Sequence, residues 1–220
     1  MNWYRHHWYY VGGVLFAGLS LVIGLWGSRW FSRLQIILIY SWLGMLLHQF
    51  EEYAFPGGFQ GFANVLMKSD RPDRYPFNAQ LTTIDNVFLT YPFYLLAIIF
   101  PHAIWYGLIQ VGQGLVQVPV HGIIVNRRLK THYNPGMASN LLWQLPVGIY
   151  YIYYVASHHL ASGGTYWIGF FGSLLAVVVL WLIPVVTLRN PDSPYPYNQD
   201  ERYRWRPELI KAGEKPAANK

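Results

Sequence analysis

Two adjacent glutamates and a histidine close a long apolar run that begins at Leu34 and ends in His48-Gln49-Phe50-Glu51-Glu52. Residues three and four positions apart lie on the same face of an α-helix, so His48 can face the same way as Glu51 and Glu52. An imidazole beside carboxylates can bind a metal ion or exchange protons. Because ionisable side chains are costly in a membrane span, we expect this motif to have a function.

The types of the possible ligands predict a divalent metal, zinc or iron. His48 and Glu52 can bind one ion, and His121 can complete a set of three protein ligands with one open position, as in catalytic zinc sites. The same ligand types bind non-haem iron. Glu51 can act as a general base or support a ligand, so we predict Glu51 and Glu52 as the catalytic carboxylates.

Other interpretations of these residues stay open. The same side chains can transfer protons without a metal, and adjacent glutamates at a helix end can simply be solvated. His121 can be a buried histidine that binds a backbone carbonyl. Asp85, Asn86 and His132 are predicted to surround the ligands, but Asp and Asn are also the residues that cap helix N-termini, so Asp85 and Asn86 can instead begin a helix.

The composition indicates an all-α integral membrane protein. Only 12% of the 220 residues are charged, whereas soluble domains have about 25%. Long uncharged runs suit helices of roughly 20 residues, which cross a bilayer. We predict one membrane domain, residues 1–188, that forms a bundle of six transmembrane helices. The predicted spans are 9–27, 34–52, 87–101, 103–126, 137–157 and 165–188, followed by a Pro-rich charged tail, residues 189–220.

Basic residues predict the orientation of this bundle. Counted on alternate sides of six spans, they gather on the side of both termini, and only Arg29 and Arg33 lie on the other side. Basic loops favour the cytoplasm, so both termini and the tail are predicted to be cytoplasmic. This count also accounts for the net charge of +6, and no nucleic-acid partner is expected. It places His48, Asp85 and His121 at the same face of the membrane.

A longer set of residues resembles one family. The His48-x-x-Glu51-Glu52 motif is followed by Tyr53-x-Phe55-Pro56-Gly57-Gly58-Phe59, then by His121 and by His132-Tyr133-Asn134-Pro135-Gly136. This combination, over roughly residues 35–185, resembles the HXXEE family of bacterial integral membrane proteins. In that family the later histidine follows an asparagine by four positions, where this chain has Gln117. The resemblance implies a bacterial inner-membrane enzyme of unassigned reaction, with Gln117 beside the site.

These observations predict an enzyme that acts on a hydrophobic molecule or lipid from the surrounding bilayer. A site at membrane depth is reached most easily by a molecule dissolved in lipid. Metal-assisted hydrolysis or group transfer is the predicted reaction, with iron-dependent oxidation as the second choice among enzymes. The alternatives are a small transporter and a non-catalytic accessory subunit with partners in a membrane complex.

Overall fold

The computed structural model describes residues 1–214, which form helices joined by turns, with no strand in that range. The helices are α1 (Asn2–Arg5), α2 (Trp8–Trp30), α3 (Arg33–Tyr53), α4 (Phe59–Leu66), α5 (Ala79–Ile99), α6 (Ile104–Leu129), α7 (residues 137–157), α8 (Gly163–Leu188), α9 (Gln199–Arg202) and α10 (Pro207–Gly213). The predicted all-α class is confirmed. Residues 215–220 of the predicted tail lie outside the described residues.

Each predicted span corresponds to one long helix, namely α2, α3, α5, α6, α7 and α8. Within the described chain, however, four helices are long and apolar enough to cross a membrane: α2, α5, α6 and α8. The prediction of six spans is therefore wrong for α3 and α7. Both helices bury polar side chains inside the bundle, such as Gln49 in α3 and Asn140 and Gln144 in α7.

The start of α5 differs most from the prediction. The predicted third span begins at residue 87, but the helix begins at Ala79, where the Asn78 side chain accepts hydrogen bonds from the N–H groups of Gln80 and Leu81. The idea that Asp85 caps this helix is therefore wrong. The first turns of α5 are polar and resemble a loop in sequence, but Thr82, Thr83 and Asp85 point into the protein and are buried.

Wide, π-helical turns interrupt α5, α6, α7 and α8 in the part of the chain that the structure describes. They lie at Ile84–Thr90, Val120–Val125, Asn140–Gln144 and Val178–Leu182. Three of them precede a proline, Pro92, Pro146 or Pro184. A proline lacks the N–H that would bind the carbonyl four residues earlier, and here that carbonyl falls inside the wide turn. Such turns often occur at functional sites.

The tail folds back on the bundle beside the end of α3. Trp205 and Ile210 are buried against Phe62 and Phe77, around α4 and the loop that follows it. Arg204 donates hydrogen bonds of 2.9 and 3.0 Å to the carbonyl oxygens of Tyr53 and Ala54. A cation at the C-terminal end of a helix is stabilising, so the tail holds the end of α3 in place.

Candidate functional site

Three ionisable side chains from two helices meet at one end of the bundle. His48 and Glu52 lie one turn apart on α3, and His121 lies in the wide turn of α6. The Nε2 atom of His48 is 3.5 Å from Oε2 of Glu52, and Nε2 of His121 is 3.3 Å from Oε1 of the same carboxylate. All three side chains are buried, and one donor atom from each lies within 4.8 Å of the others.

The hydrogen-bond partner of Nδ1 shows which nitrogen of each imidazole carries the hydrogen. Nδ1 of His48 lies 3.1 Å from the carbonyl oxygen of Gly136, which can only accept. Nδ1 of His121 lies 2.6 Å from Oδ1 of Asn134. The amide nitrogen of Asn134 donates to the carbonyl oxygen of His121 and to Oδ1 of Asn126, both at 2.8 Å, so the amide orientation is determined. Each Nδ1 therefore carries a hydrogen.

This tautomer leaves the Nε2 atoms as lone-pair donors directed at a carboxylate. Lone pairs and a carboxylate attract each other only when a positive charge, either a proton or a metal ion, lies between them. Ligand atoms about 2.1 Å from a tetrahedral zinc ion are about 3.4 Å apart. The two contacts to Glu52, at 3.5 and 3.3 Å, fit that spacing. Hydrogen bonds from Nδ1 to a carbonyl group are also the usual support of a metal-bound histidine.

The neighbouring Glu51 has entirely different partners. Its Oε1 atom accepts from the Tyr133 hydroxyl at 2.7 Å and from the Ala138 N–H at 3.0 Å. Its Oε2 atom accepts from the N–H and the hydroxyl of Ser139, at 2.7 and 2.5 Å. Ala138 and Ser139 are the second and third residues of α7, whose N–H groups have no partner within that helix. Glu51 thus caps α7 from α3.

The Tyr133 hydroxyl is protonated and can donate its hydrogen to Glu51 in this cap. Burial and the hydrogen bond to the Glu51 carboxylate raise the pKa of Tyr133, so its hydroxyl stays protonated.

The turn before α7 brings the backbone of Gly136 close to both histidines. Gly136 has φ +96°, a conformation that glycine adopts without strain. A Cβ atom at this position would lie 2.6 Å from Cε1 of His121, 2.7 Å from Cε1 of His48 and 2.9 Å from Cγ of Glu52. Only a residue without a side chain fits there, so the Pro-Gly turn is a part of the site.

A cavity of about 330 Å³ opens beside Glu52. Its polar lining includes His48, Glu52, Asp85 and His121, whereas its apolar lining comes from α4, α6 and α8. Asp85 is buried in this lining. The cavity therefore combines two acidic side chains with walls that are mostly hydrocarbon.

The structure brings most of the predicted site residues together. Asn86 and Gln117 line the same cavity as Asp85, and Asn86 accepts a hydrogen bond from Gln49 at 3.0 Å. Glu51 adjoins the cluster but does not line the cavity. His132 is exposed and lies away from the cavity lining. The catalytic and metal-binding roles of these residues stay predictions.

Asn134, Gly136 and Ser139 also belong to the site, although the sequence indicates Asn134 and Gly136 only as parts of a turn and does not indicate Ser139. Asn134, thirteen residues after His121, is the amide that bonds to Nδ1 of this histidine. The signal in the sequence was the Tyr133-x-Pro135-Gly136 turn that follows His121, since its glycine permits the close approach.

Comparison with known proteins supports the family resemblance that the motif predicts. The family described as "Protein of unknown function with HXXEE motif" matches residues 39–151, just over half of the chain, which include His48, Glu52, His121 and Gly136. No curated protein and no solved structure matches the chain. The predicted resemblance is confirmed, and this chain belongs to the HXXEE family.

Proposed function

We propose that His48, Glu52 and His121 hold one divalent metal ion and that this centre makes the protein a membrane enzyme. The supporting observation is that both imidazoles direct Nε2 at the Glu52 carboxylate while their Nδ1 hydrogens are bound elsewhere. Two imidazoles and a carboxylate, with a cavity on the open side, form the ligand set of catalytic zinc. Iron is the second candidate metal.

Each surrounding residue has a role in this proposal. A divalent ion at such a site supplies Lewis acidity to a substrate oxygen or to water. Asn134 and the Gly136 carbonyl orient the two imidazoles, and Glu51 holds the start of α7 in position. Asp85 lines the cavity near Glu52, and its carboxylate can accept a proton from a substrate or from water.

The walls of the cavity support a lipid-like substrate. Phe62, Leu66, Val120 and Leu180 surround the space next to Glu52, and α6 and α8 are apolar enough to lie in a membrane. Such walls exclude water and favour a molecule that arrives from the bilayer. Hydrolysis or group transfer on an ester or phosphoester of such a molecule is the reaction that these residues suit best.

The proposal is tested by incubating the full chain, reconstituted in vesicles of bacterial lipid, and following the lipid composition by mass spectrometry. We expect one lipid class to be consumed by the native protein, with loss of activity after chelation and recovery when zinc is returned. Glu52→Gln should be inactive while it keeps the melting temperature of the metal-free native chain. An unchanged lipid composition at every metal concentration would contradict the enzyme proposal.

A row of polar side chains, buried except for the half-buried Gln117, supports a transporter or proton relay as the second candidate. Gln110, Gln113, Gln117 and His121 follow one another along α6 at spacings of three and four residues. Among the described residues, Oε1 of Gln110 and Nε2 of Gln144 are buried without a hydrogen-bond partner, which favours bound water. Proton flux into vesicles that His48→Ala abolishes, in a preparation without metal, would favour this candidate.

We further propose that the protein lies in a bacterial inner membrane with both termini in the cytoplasm. The four apolar helices indicate an integral membrane protein. Counted over the alternating ends of the six long helices, most basic residues lie at the end where both termini lie, which supports the orientation. The chain has no cysteine, so single introduced cysteines report on each side by labelling with an impermeant reagent. Labelling of a cysteine at position 132 in intact spheroplasts would contradict this orientation.

A further inference from the structure

The cavity carries a positive charge away from the His-Glu-His cluster. Arg128 lines the cavity and is exposed, in the last turn of α6. It lies seven residues after His121, which is two helical turns or about 10 Å along the axis. No acidic side chain in residues 1–214 forms an ion pair with Arg128. A guanidinium without an ion-pair partner in the described part of the chain is available to a ligand at this place.

The surface around Arg128 is apolar. Met67, Ile124 and Trp181 line the same cavity and are 42%, 46% and 37% exposed. Ile124 and Trp181 belong to α6 and α8, two of the helices that are apolar enough to cross a membrane. The cavity therefore opens on a surface suited to hydrocarbon, and its mouth combines a cation with that surface.

We propose that the cavity binds an acyl lipid whose oxyanion head group pairs with Arg128 and whose apolar part lies against α4, α6 and α8. Arginine binds phosphate and carboxylate through two parallel hydrogen bonds, which gives both affinity and orientation. The arrangement places the lipid next to Glu52 with its charged group about two helical turns away from His121. This inference rests on the proposed function, because it names the substrate class of that site.

Arg127 provides a matched control. It is exposed like Arg128 and carries the same charge in the same turn, but it does not line the cavity. Loss of either arginine changes the net charge equally. A difference between the two variants therefore reports on the cavity rather than on general attraction of anionic lipids to a basic surface.

The test is equilibrium binding of lysophosphatidate to the purified full chain in neutral detergent. Arg128→Leu should weaken binding at least tenfold, Arg127→Leu by less than twofold, and Arg128→Lys by an intermediate factor because the charge remains. Monoacylglycerol, which lacks the charge, should bind the native chain at least tenfold more weakly than lysophosphatidate. Glycerol phosphate, which lacks the acyl chain, should not compete.

Two outcomes would overturn the inference. Equal losses for Arg127→Leu and Arg128→Leu would mean that the lipid binds to the basic surface and not to the cavity. Competition by glycerol phosphate as strong as that by the lipid would assign a site for free phosphate instead. The metal content of the same preparations separates this inference from the proposed function. Binding that depends on Arg128 in a metal-free protein would support the lipid site and count against the metal centre.

Discussion

Glu51 and Glu52 are neighbours in sequence but have opposite surroundings. Glu51 accepts four hydrogen bonds, two of them from backbone N–H groups of α7. Glu52 faces two imidazole nitrogens and lines the cavity. A carboxylate that is surrounded by donors stabilises structure, whereas one directed at lone pairs attracts a cation. The two acidic positions of the motif therefore suit two different tasks.

Substitution by glutamine should separate these tasks. In Glu51→Gln an amide replaces an acceptor that four donors surround, and an unsatisfied buried group costs about 1–3 kcal/mol. We expect a lower melting temperature in detergent for Glu51→Gln, with metal still bound at the temperature of the assay. Glu52→Gln should keep the melting temperature of the metal-free native protein and lose the metal. The reverse pattern would contradict the assignment of the two residues.

The amide that orients His121 gives a second test at the scale of the residue. Asn134 bonds to Nδ1 of His121. Within residues 1–214, the side chain of Gln117, four residues before His121, makes no such bond. Loss of a residue that orients a metal ligand typically costs 10–100-fold in metal affinity. Asn134→Ala should show a loss in that range when zinc affinity is measured by competition with a chelator. A larger loss in Gln117→Ala would show that position 117 is the orienting one.

At the scale of the element, the site depends on how α7 begins. The Pro-Gly turn before α7 points the Gly136 carbonyl at His48, and the first N–H groups of α7 bind Glu51. The wide turn of α6 carries His121, and the wide turn of α5 carries Asp85. Irregular helix segments thus carry His121 and Asp85, whereas the regular helix α3 carries His48 and Glu52.

The Gly136 position should tolerate no side chain. A Cβ atom there would approach both histidines and Glu52 to less than 3 Å, and the left-handed backbone adds about 1–2 kcal/mol for a residue other than glycine. We expect Gly136→Ala to lower zinc affinity at least tenfold and to reduce thermal stability. Gly122→Ala, one residue after His121 and with open space around it, is the control and should change neither quantity. Normal zinc binding by Gly136→Ala would contradict the packing described above.

At the scale of the whole molecule, the tail is a part of the folded body. Tyr197, Trp205 and Ile210 are buried, and the Arg204 guanidinium binds the end of the helix that carries the motif. Glycines in α4 and the preceding loop permit this contact, since a Cβ atom on Gly61 would lie 2.0 Å from the carbonyl oxygen of Arg202. The tail therefore links the stability of α4 to the position of α3.

A methyl group at position 61 should weaken that contact. Overpacking of this kind costs about 1–3 kcal/mol, so Gly61→Ala should expose the arginines of the tail to trypsin. We expect faster cleavage after Arg202 and Arg204 in limited proteolysis of the full chain. Gly163→Ala, at a position with no atom within 4 Å, should be cleaved at the native rate. Equal rates for both variants would mean that the tail is held by other contacts.

The sequence was sufficient for the long helices and for part of the site. His48 and Glu52 were predictable as a pair because one helix carries both. Because successive long helices alternate in direction, the end of α6 that carries His121 was expected on the same side as the end of α3. Asn134 and Ser139 were not predictable, since their contacts depend on how the turn before α7 packs against α3. The sequence does not show the start of α5, because a stretch with many polar residues resembles a loop even when its side chains point into a bundle.

The central claim is that His48, Glu52 and His121 bind one divalent metal. The most direct measurement is titration of the metal-free full chain with Co²⁺, which gives the stoichiometry and a visible spectrum that reports coordination geometry. The account predicts one ion per chain with the intense bands of a tetrahedral site, lost in His48→Ala, Glu52→Gln and His121→Ala. A well-folded native chain that binds no Co²⁺ and no Zn²⁺, or that binds them equally in Glu52→Gln, would contradict it.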